Sequence, residues 1–362
     1  MIITKTPMRI TLAGGGTDVL WYSRLHGGAW ISAAIDKYVY IFLTKNKKAK
    51  ESIISDGFNQ YKIKKYTDIQ SSIVRECFKL VQPPLGLDIR TISEVSAKSG
   101  LGGSGAFEVG LLHALYKYNP RGLTRFRPIE PSLSNPRGLT QSMKIEPRGF
   151  NDMLARQAAD IEIVKLQKPV GPQDQYITAL GGIKYFEIDK SGKVSYQDLK
   201  LSKKTIDRLE QNLIFFQTGI LHDTGKIHGE AKKKMMGDSQ DKNKIIDSLD
   251  RIKELGLKAK QYLVNGDVDK FGSTFHDHWL IKKKLSAKVS SVQIDEWYTQ
   301  GMKAGALGGK IMGAGGGGWF VFYVNKNHEK FRAVMQKKGL IPRFAEFDWK
   351  GSKVYHLRGV IK

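Results

Sequence analysis

Apolar residues recur along this chain with two spacings, and the switches between them outline the elements. Residues 1–45 alternate as two or more strands around a glycine-rich turn. Residues 51–92 add strand-like stretches, a helix near 71–80 and a β-like run at Leu87-Asp88-Ile89-Arg90-Thr91-Ile92. A glycine-rich loop follows, then a helical run with Phe107, Leu111, Leu115 and Tyr118 on one face. Helical spacing returns over 151–166, with Leu154, Ala158 and Ile161 on one face. Glu162 falls in line with Ala155, Ala159 and Leu166, which puts a carboxylate at a helix margin or in use. Residues 181–188 read as a turn into a strand, and a boundary falls near 190–205. Beyond it, helices at 203–210, 241–265 and 294–304 alternate with strands at 213–217 and 318–324. A helix at 329–338 precedes a strand at 353–357, which gives an α+β second half.

One stretch breaks the pattern. Pro120-Arg121-Gly122-Leu123-Thr124 recurs as Pro136-Arg137-Gly138-Leu139-Thr140, a 16-residue repeat holding five of the eleven prolines. Two copies cannot build a solenoid. The expectation is an insertion with loop character and partial disorder.

The loop Lys98-Ser99-Gly100-Leu101-Gly102-Gly103-Ser104-Gly105-Ala106 carries the clearest chemistry. Glycines let backbone approach a ligand, and the following helix start offers unpaired N–H groups to an anion. A P-loop would end in Gly-Lys-Ser/Thr, which the chain lacks. The dinucleotide pattern is met twice, at Gly100-Gly102-Gly105 and at Gly313-Gly315-Gly318. The first is not followed by a second strand ending in an acidic residue, and the second runs into a strand, so both count against a Rossmann domain.

Three further stretches change the reading. They are Thr6-Pro7-Met8-Arg9-Ile10-Thr11-Leu12-Ala13-Gly14-Gly15-Gly16-Thr17-Asp18, Gly171-Pro172-Gln173-Asp174-Gln175, and Gly308-Gly309-Lys310-Ile311-Met312-Gly313-Ala314-Gly315-Gly316. With the Gly100 loop, their order resembles the GHMP kinase superfamily over nearly the whole chain. Ile35-Asp36-Lys37-Tyr38-Val39-Tyr40 and Gln173-Asp174-Gln175-Tyr176 point towards the branch acting on the anomeric hydroxyl of D-glycero-D-manno-heptose 7-phosphate. The resemblance implies a two-domain α+β GHMP kinase fold. Residues 1–195 would form a ribosomal protein S5 domain 2-like ATP-binding domain carrying the insertion at 120–150, and 196–362 a ferredoxin-like domain. It implies an ATP-dependent sugar-phosphate kinase. Lys98 to Ala106 would hold ATP phosphates, Ser104 and Glu162 Mg²⁺, and Asp174 and Arg9 the catalytic positions. Gly15, Gly16, Thr17, Asp18, Gln173, Gly315 and Gly316 would bind the acceptor. This chain departs from the family loop at Gly103 and Gly105, where small polar residues are usual. The loop of Gly219 and Thr224 resembles one near the acceptor.

Composition narrows the alternatives. No apolar run approaches the ~20 residues of a membrane span, and the N-terminus reads as a strand start, not a signal peptide. A single cysteine, Cys77, excludes an internal disulfide framework and fits a cytoplasmic protein. No Cys/His metal cluster is visible. The net charge of +24 raises nucleic-acid binding, but no nucleic-acid motif or basic tail accompanies it. The expected partners are therefore ATP and a sugar or sugar phosphate, with neither nucleic acid nor membrane; a homodimer stays open. The alternatives are a kinase of an unphosphorylated, galactose- or fucose-like sugar and a non-catalytic nucleic-acid binder. His276, His278, Trp279 and Lys282 share a helical stretch, read as solvated at His276, with Lys282 within reach of a substrate phosphate.

Overall fold

The computed structural model describes residues 1–46, 51–124, 149–220, 229–230 and 239–357. Most of the Pro/Arg repeat and Thr224 lie outside them; its first residues form a one-turn helix at Arg121–Thr124.

Two long strands organise the first sheet. β1 (Ile2–Ala13) pairs antiparallel with β2 (Gly28–Lys45), and helix α1 (Leu20–His26) lies in the connection. The register shifts between Pro7 and Met8, as suits a residue with no N–H to give the ladder. Pairing resumes with Met8 opposite Ile35 and Arg9 opposite Ala34. β2 is long enough to serve two neighbours: its distal half pairs β5 (Leu87–Ser93), its proximal half β6 (Ile183–Ile188). β3 (Ser52–Ser55), β4 (Gln60–Ile63), β7 (Val194–Asp198) and the late strand β12 (Lys353–His356) complete eight strands. Helices α2 (Ser72–Val81), α3 (Gly103–Tyr118), α5 (Phe150–Ala159) and α6 (Gln173–Leu180) gather over it; α4 is the one-turn helix. α3 is buried along almost its whole length, and for that reason its sequence is apolar nearly all round.

The second sheet contains β8 (Leu213–Gln217), β9 (Gly308–Ile311), β10 (Trp319–Tyr323) and β11 (Ile341–Arg343) in the spatial order β11-β8-β10-β9. All three pairings are antiparallel. With helices between β8 and β9 and between β10 and β11, this is the ferredoxin-like order. The helices are α7 (Lys203–Asn212) before β8, α8 (Ser239–Asn265), α9 (Val268–Lys282) and α10 (Val292–Lys303) before β9, and α11 (His328–Lys337) before β11. Alternate residues of β10 enter different cores. Trp319, Val321 and Tyr323 join the large core shared with the first sheet. Phe320 and Phe322 join a second one with Phe216, Trp297 and Phe331.

Two expectations are corrected. Residues 173–175, which read from the sequence as a loop following Pro169 and Pro172, instead open helix α6: Pro172 sits at the N-cap, where its missing N–H costs nothing. The helix from Phe150 turns into a wide π-helical turn at Asp160–Lys165, which carries Glu162. Cys77 is fully buried in the core. No helix among the described residues is long and apolar enough to cross a membrane.

Candidate active site

A cavity of about 720 Å³ opens between the two sheets. Arg9, Gly15, Gly16, Asp18, Lys98 to Gly100, Gly102 to Ser104, Glu162, Gln173 and Asp174 all line it, although they come from across 166 positions of the chain.

Arg9 joins the parts. Its side chain is buried on β1, its Nε donates to Asp174 Oδ1 at 2.7 Å, and its guanidinium also donates to the Gly100 carbonyl. Its backbone N–H donates to Leu101 O at 2.9 Å. The bond leaves Asp174 Oδ2 without a protein partner among the described residues, at the edge of the cavity. Asp174 stands in the first turn of α6, where the helix dipole favours an anion.

The Gly100 loop delivers the start of α3 to the cavity. Its N-cap is Gly102, and no side chain caps the first turn, so its leading N–H groups remain open to an anion. Gly105 answers the departure from the family loop. A Cβ there would lie 2.8 Å from Asp174 Cβ and 3.1 Å from the Gln175 nitrogen, so any side chain would push α6 away. Ser104 Oγ donates to Glu162 Oε1 at 3.1 Å. Lys168 Nζ donates to the same oxygen at 2.7 Å, and Gln175 Nε2 holds Oε2 at 2.5 Å.

The other end is built by the turn after β1. Asp18 is fully buried and accepts from the Gly16 and Gln173 backbone N–H groups, both at 3.2 Å. Burial raises its carboxyl to about 6, with Asp174 nearby pushing in the same direction. Gln173 Oε1 accepts from Thr11 Oγ1 at 2.7 Å, tying α6 to β1.

Not every candidate reaches the cavity. Thr17 staples the turn: its hydroxyl donates to Gly14 O at 2.8 Å and accepts from the Ala29 N–H at 3.1 Å. Leu101 is a buried plug, and Gly105 and Ala106 face packed helices. Gly316 N–H donates to Val289 O at 2.7 Å, and Gly315 packs on the same residue. The part of that loop on the cavity is Ile311 to Ala314. His278 and Lys282 of the helical cluster line it, and so do residues given no role in the sequence: Thr11, Lys168, Gln175 and Lys310. Their only sequence signal is a polar side chain where an apolar one is due, as at Lys310 in the buried strand β9.

Residues 72–130, from α2 through the Gly100 loop and α3, match the model of the GHMP kinases N terminal domain. Over these residues the chain carries a GHMP kinase N-terminal domain. The whole chain is 28% identical over 368 residues to the D-glycero-alpha-D-manno-heptose 7-phosphate kinase of Campylobacter jejuni, covering 98% of this chain and 99% of that protein. Its fold matches a structure described as a D-glycero-D-manno-heptose 1-phosphate kinase from Bacteroides thetaiotaomicron, with a TM-score of 0.74, 23% identity, and 99% and 100% of the two chains covered. A putative sugar kinase from Campylobacter jejuni superposes with a TM-score of 0.72 at 24% identity, over 98% of each chain. GHMP kinases are phosphotransferases that act on hydroxyl groups, and this chain is an enzyme of that class.

Proposed function

We propose that this GHMP kinase transfers the γ-phosphoryl group of ATP to the anomeric hydroxyl of D-glycero-D-manno-heptose 7-phosphate. The observation that carries the reading is the Arg9–Asp174 pair. It stands between an uncapped helix start on one side and the polar turn of Gly15, Gly16 and Asp18 on the other. Phosphoryl transfer needs positioning, charge neutralisation and a place for the hydroxyl proton, and this arrangement supplies all three. Residues 1–195 carry the donor site in this reading, and residues 196–362 close the cavity from the other side.

The open N–H groups at Gly103 and Ser104 receive donor phosphates. Asp174 Oδ2 accepts the proton as the hydroxyl oxygen bonds to phosphorus and the bond to the leaving diphosphate breaks. Arg9 fixes Oδ1, so the carboxylate rotates little, and its charge stands beside the transferring group. Asp18 and Gln173 orient acceptor hydroxyls. Ser104 and Glu162 would hold Mg²⁺: a hydroxyl and a carboxylate 3.1 Å apart are the hard oxygen donors this cation takes. Mg²⁺ supplies neutralisation of the phosphate oxygens when bound. Among the described residues no group of three His, Cys, Asp or Glu could hold a metal ion, so nucleotide phosphates and water would complete the shell.

The test is ADP release over a panel containing heptose 7-phosphate, free heptose, galactose and fucose. The expected order puts heptose 7-phosphate first in kcat/KM. Efficient use of galactose, with no gain from an acceptor phosphate, would transfer the chain to the unphosphorylated-sugar reading.

A further inference from the structure

The wall of the cavity that faces the acceptor turn carries positive charge that no carboxylate answers. Lys282 closes the last turn of α9, His278 stands one turn before it on the same face, and Lys310 lies on β9. All three line the cavity and are more than nine-tenths buried. Every other charged pair on the cavity differs. Arg9 has Asp174, and Lys168 has Glu162. Among the described residues neither Lys282 nor Lys310 has a carboxylate within ion-pair distance.

Their polar contacts are to backbone. Lys282 Nζ donates to Ile311 O at 3.1 Å and to Gly313 O at 2.5 Å. Lys310 Nζ donates to Leu12 O at 2.9 Å and lies 3.5 Å from His278 Nδ1. An ammonium group has three N–H donors, so each lysine keeps one that no hydrogen bond takes; the Lys310 ammonium also stands 4.3 Å from the centre of the Phe275 ring. With Nδ1 turned to Lys310, the neutral imidazole carries its proton on Nε2, a third donor. Burial weakens the charged forms. It lowers Lys282 to about 7, with Arg9 adding to the effect, and drives Lys310 and His278 well below their ordinary values. Cations are costly to keep buried and unpaired. A dianion among them would restore their charge and take up the three free donors.

The position decides which anion. The donor phosphates have their own receptors, the uncapped start of α3 with Lys98 and Lys168 beside it. The trio belongs to the acceptor side. Lys310 holds Leu12, two residues before the acceptor turn begins, and Ile281 of α9 belongs to the same small apolar core as Val19, the residue after Asp18. We propose that His278, Lys282 and Lys310 form a built anion subsite that holds the phosphate already present on the acceptor, and so select a sugar phosphate over the free sugar. The inference rests on the proposed acceptor class and assigns the residues that would enforce it.

The experiment compares heptose 7-phosphate with free heptose as acceptors for the wild type, Lys282→Met and Lys310→Met. Calorimetry measures the affinity for heptose 7-phosphate without nucleotide. Loss of a charge-assisted bond to phosphate should lower kcat/KM for the sugar phosphate by ~10²-fold, chiefly through KM, with a matching loss of affinity. Turnover of free heptose should stay within about threefold, a bound set by the absence of any phosphate to hold. Should a methionine variant not fold, Lys282→Gln keeps a donor for the Ile311 and Gly313 carbonyls while removing the charge, and the same ratio is read. Equal losses on both acceptors would place the trio on the transferring phosphate and overturn the subsite. So would variants that keep the wild-type preference, while leaving the acceptor class intact. A wild type that treats the two acceptors alike overturns the acceptor class and the subsite together.

Discussion

Two loops in this molecule share one glycine spacing, at 100–105 and at 313–318, and do opposite work. The first ends in the uncapped start of α3, and its leading donors are open to the cavity. The second runs into β10, and two of its donors are used within the protein: Gly316 N–H goes to Val289 O and Gly318 N–H to Ile220 O. The two touch back to back: a Cβ on Gly313 would lie 2.9 Å from Gly100 Cα. One loop turns open backbone to the cavity; the other packs its backbone against its twin and the protein around it. Glycine spacing therefore says that backbone must come close to something, and the element that follows says to what.

The strongest way to break this comparison is to alter the group the first loop packs against. Asp174→Asn keeps the shape and removes the basicity, so kcat should fall by roughly 10²–10⁴-fold. Nucleotide affinity should hardly change, since the α3 start is untouched. Retention of more than about a tenth of wild-type kcat, with chemistry rate-limiting, would remove Asp174 as the base.

From the acceptor side, Asp18 provides a second measurement. Its carboxyl is raised in the folded protein from 3.8 to about 6. The native state thus binds more protons than the unfolded chain between these values. The group's contribution is fully present below the lower value and is lost as pH rises through the upper one. A carboxyl raised this far contributes about 3 kcal/mol to the pH dependence of stability. Urea unfolding of the wild type and Asp18→Asn should show the wild type losing stability relative to the variant between pH 4 and pH 7. A difference that stays flat with pH would contradict the buried, uncompensated carboxyl.

The loops themselves can be tested as a pair. Gly105→Ala should displace Asp174 and cut kcat by ~10²-fold, the cost of about 1 Å of misplacement, with roughly 1–3 kcal/mol lost to overpacking of α3 against α6. Gly313→Ala adds a side chain at a φ of +67° against the Gly100 backbone. It should cost roughly 1–3 kcal/mol of stability while kcat stays within about tenfold. The reverse pattern would interchange the roles assigned to the two loops. The smallest effect is expected from Ser104→Ala and Glu162→Gln, which should raise the Mg²⁺ concentration for half-maximal rate several-fold. Unchanged Mg²⁺ dependence in both would remove that pair from the metal site.

Legibility in the sequence follows the strength of the physical signal. The strand at Trp319–Tyr323 and the helix at Gly103–Tyr118 are readable because both are apolar and flanked by glycines. The residues that meet around Arg9 and Asp174 are readable only through the family's motifs, since 165 positions separate the two. The start of α6 reads wrongly as a loop because of Pro169 and Pro172, whereas a proline at a helix start is equally natural. The π-helical turn under Glu162 has no periodic signature, for it changes one turn only. Most hidden is the cationic wall. A lysine in a sequence reads as solvent-exposed, and nothing local shows that Lys282 and Lys310 are buried together.

The alternation along β10 has a consequence for how the molecule comes apart. Its odd-numbered aromatic residues are set in the core of the first sheet and its even-numbered ones in the core beyond. Peeling the second sheet away would expose Trp319 and Tyr323 and open the first core at the same moment. Partial melting of either half is therefore disfavoured, and the two sheets should lose their amide-exchange protection in a single cooperative event.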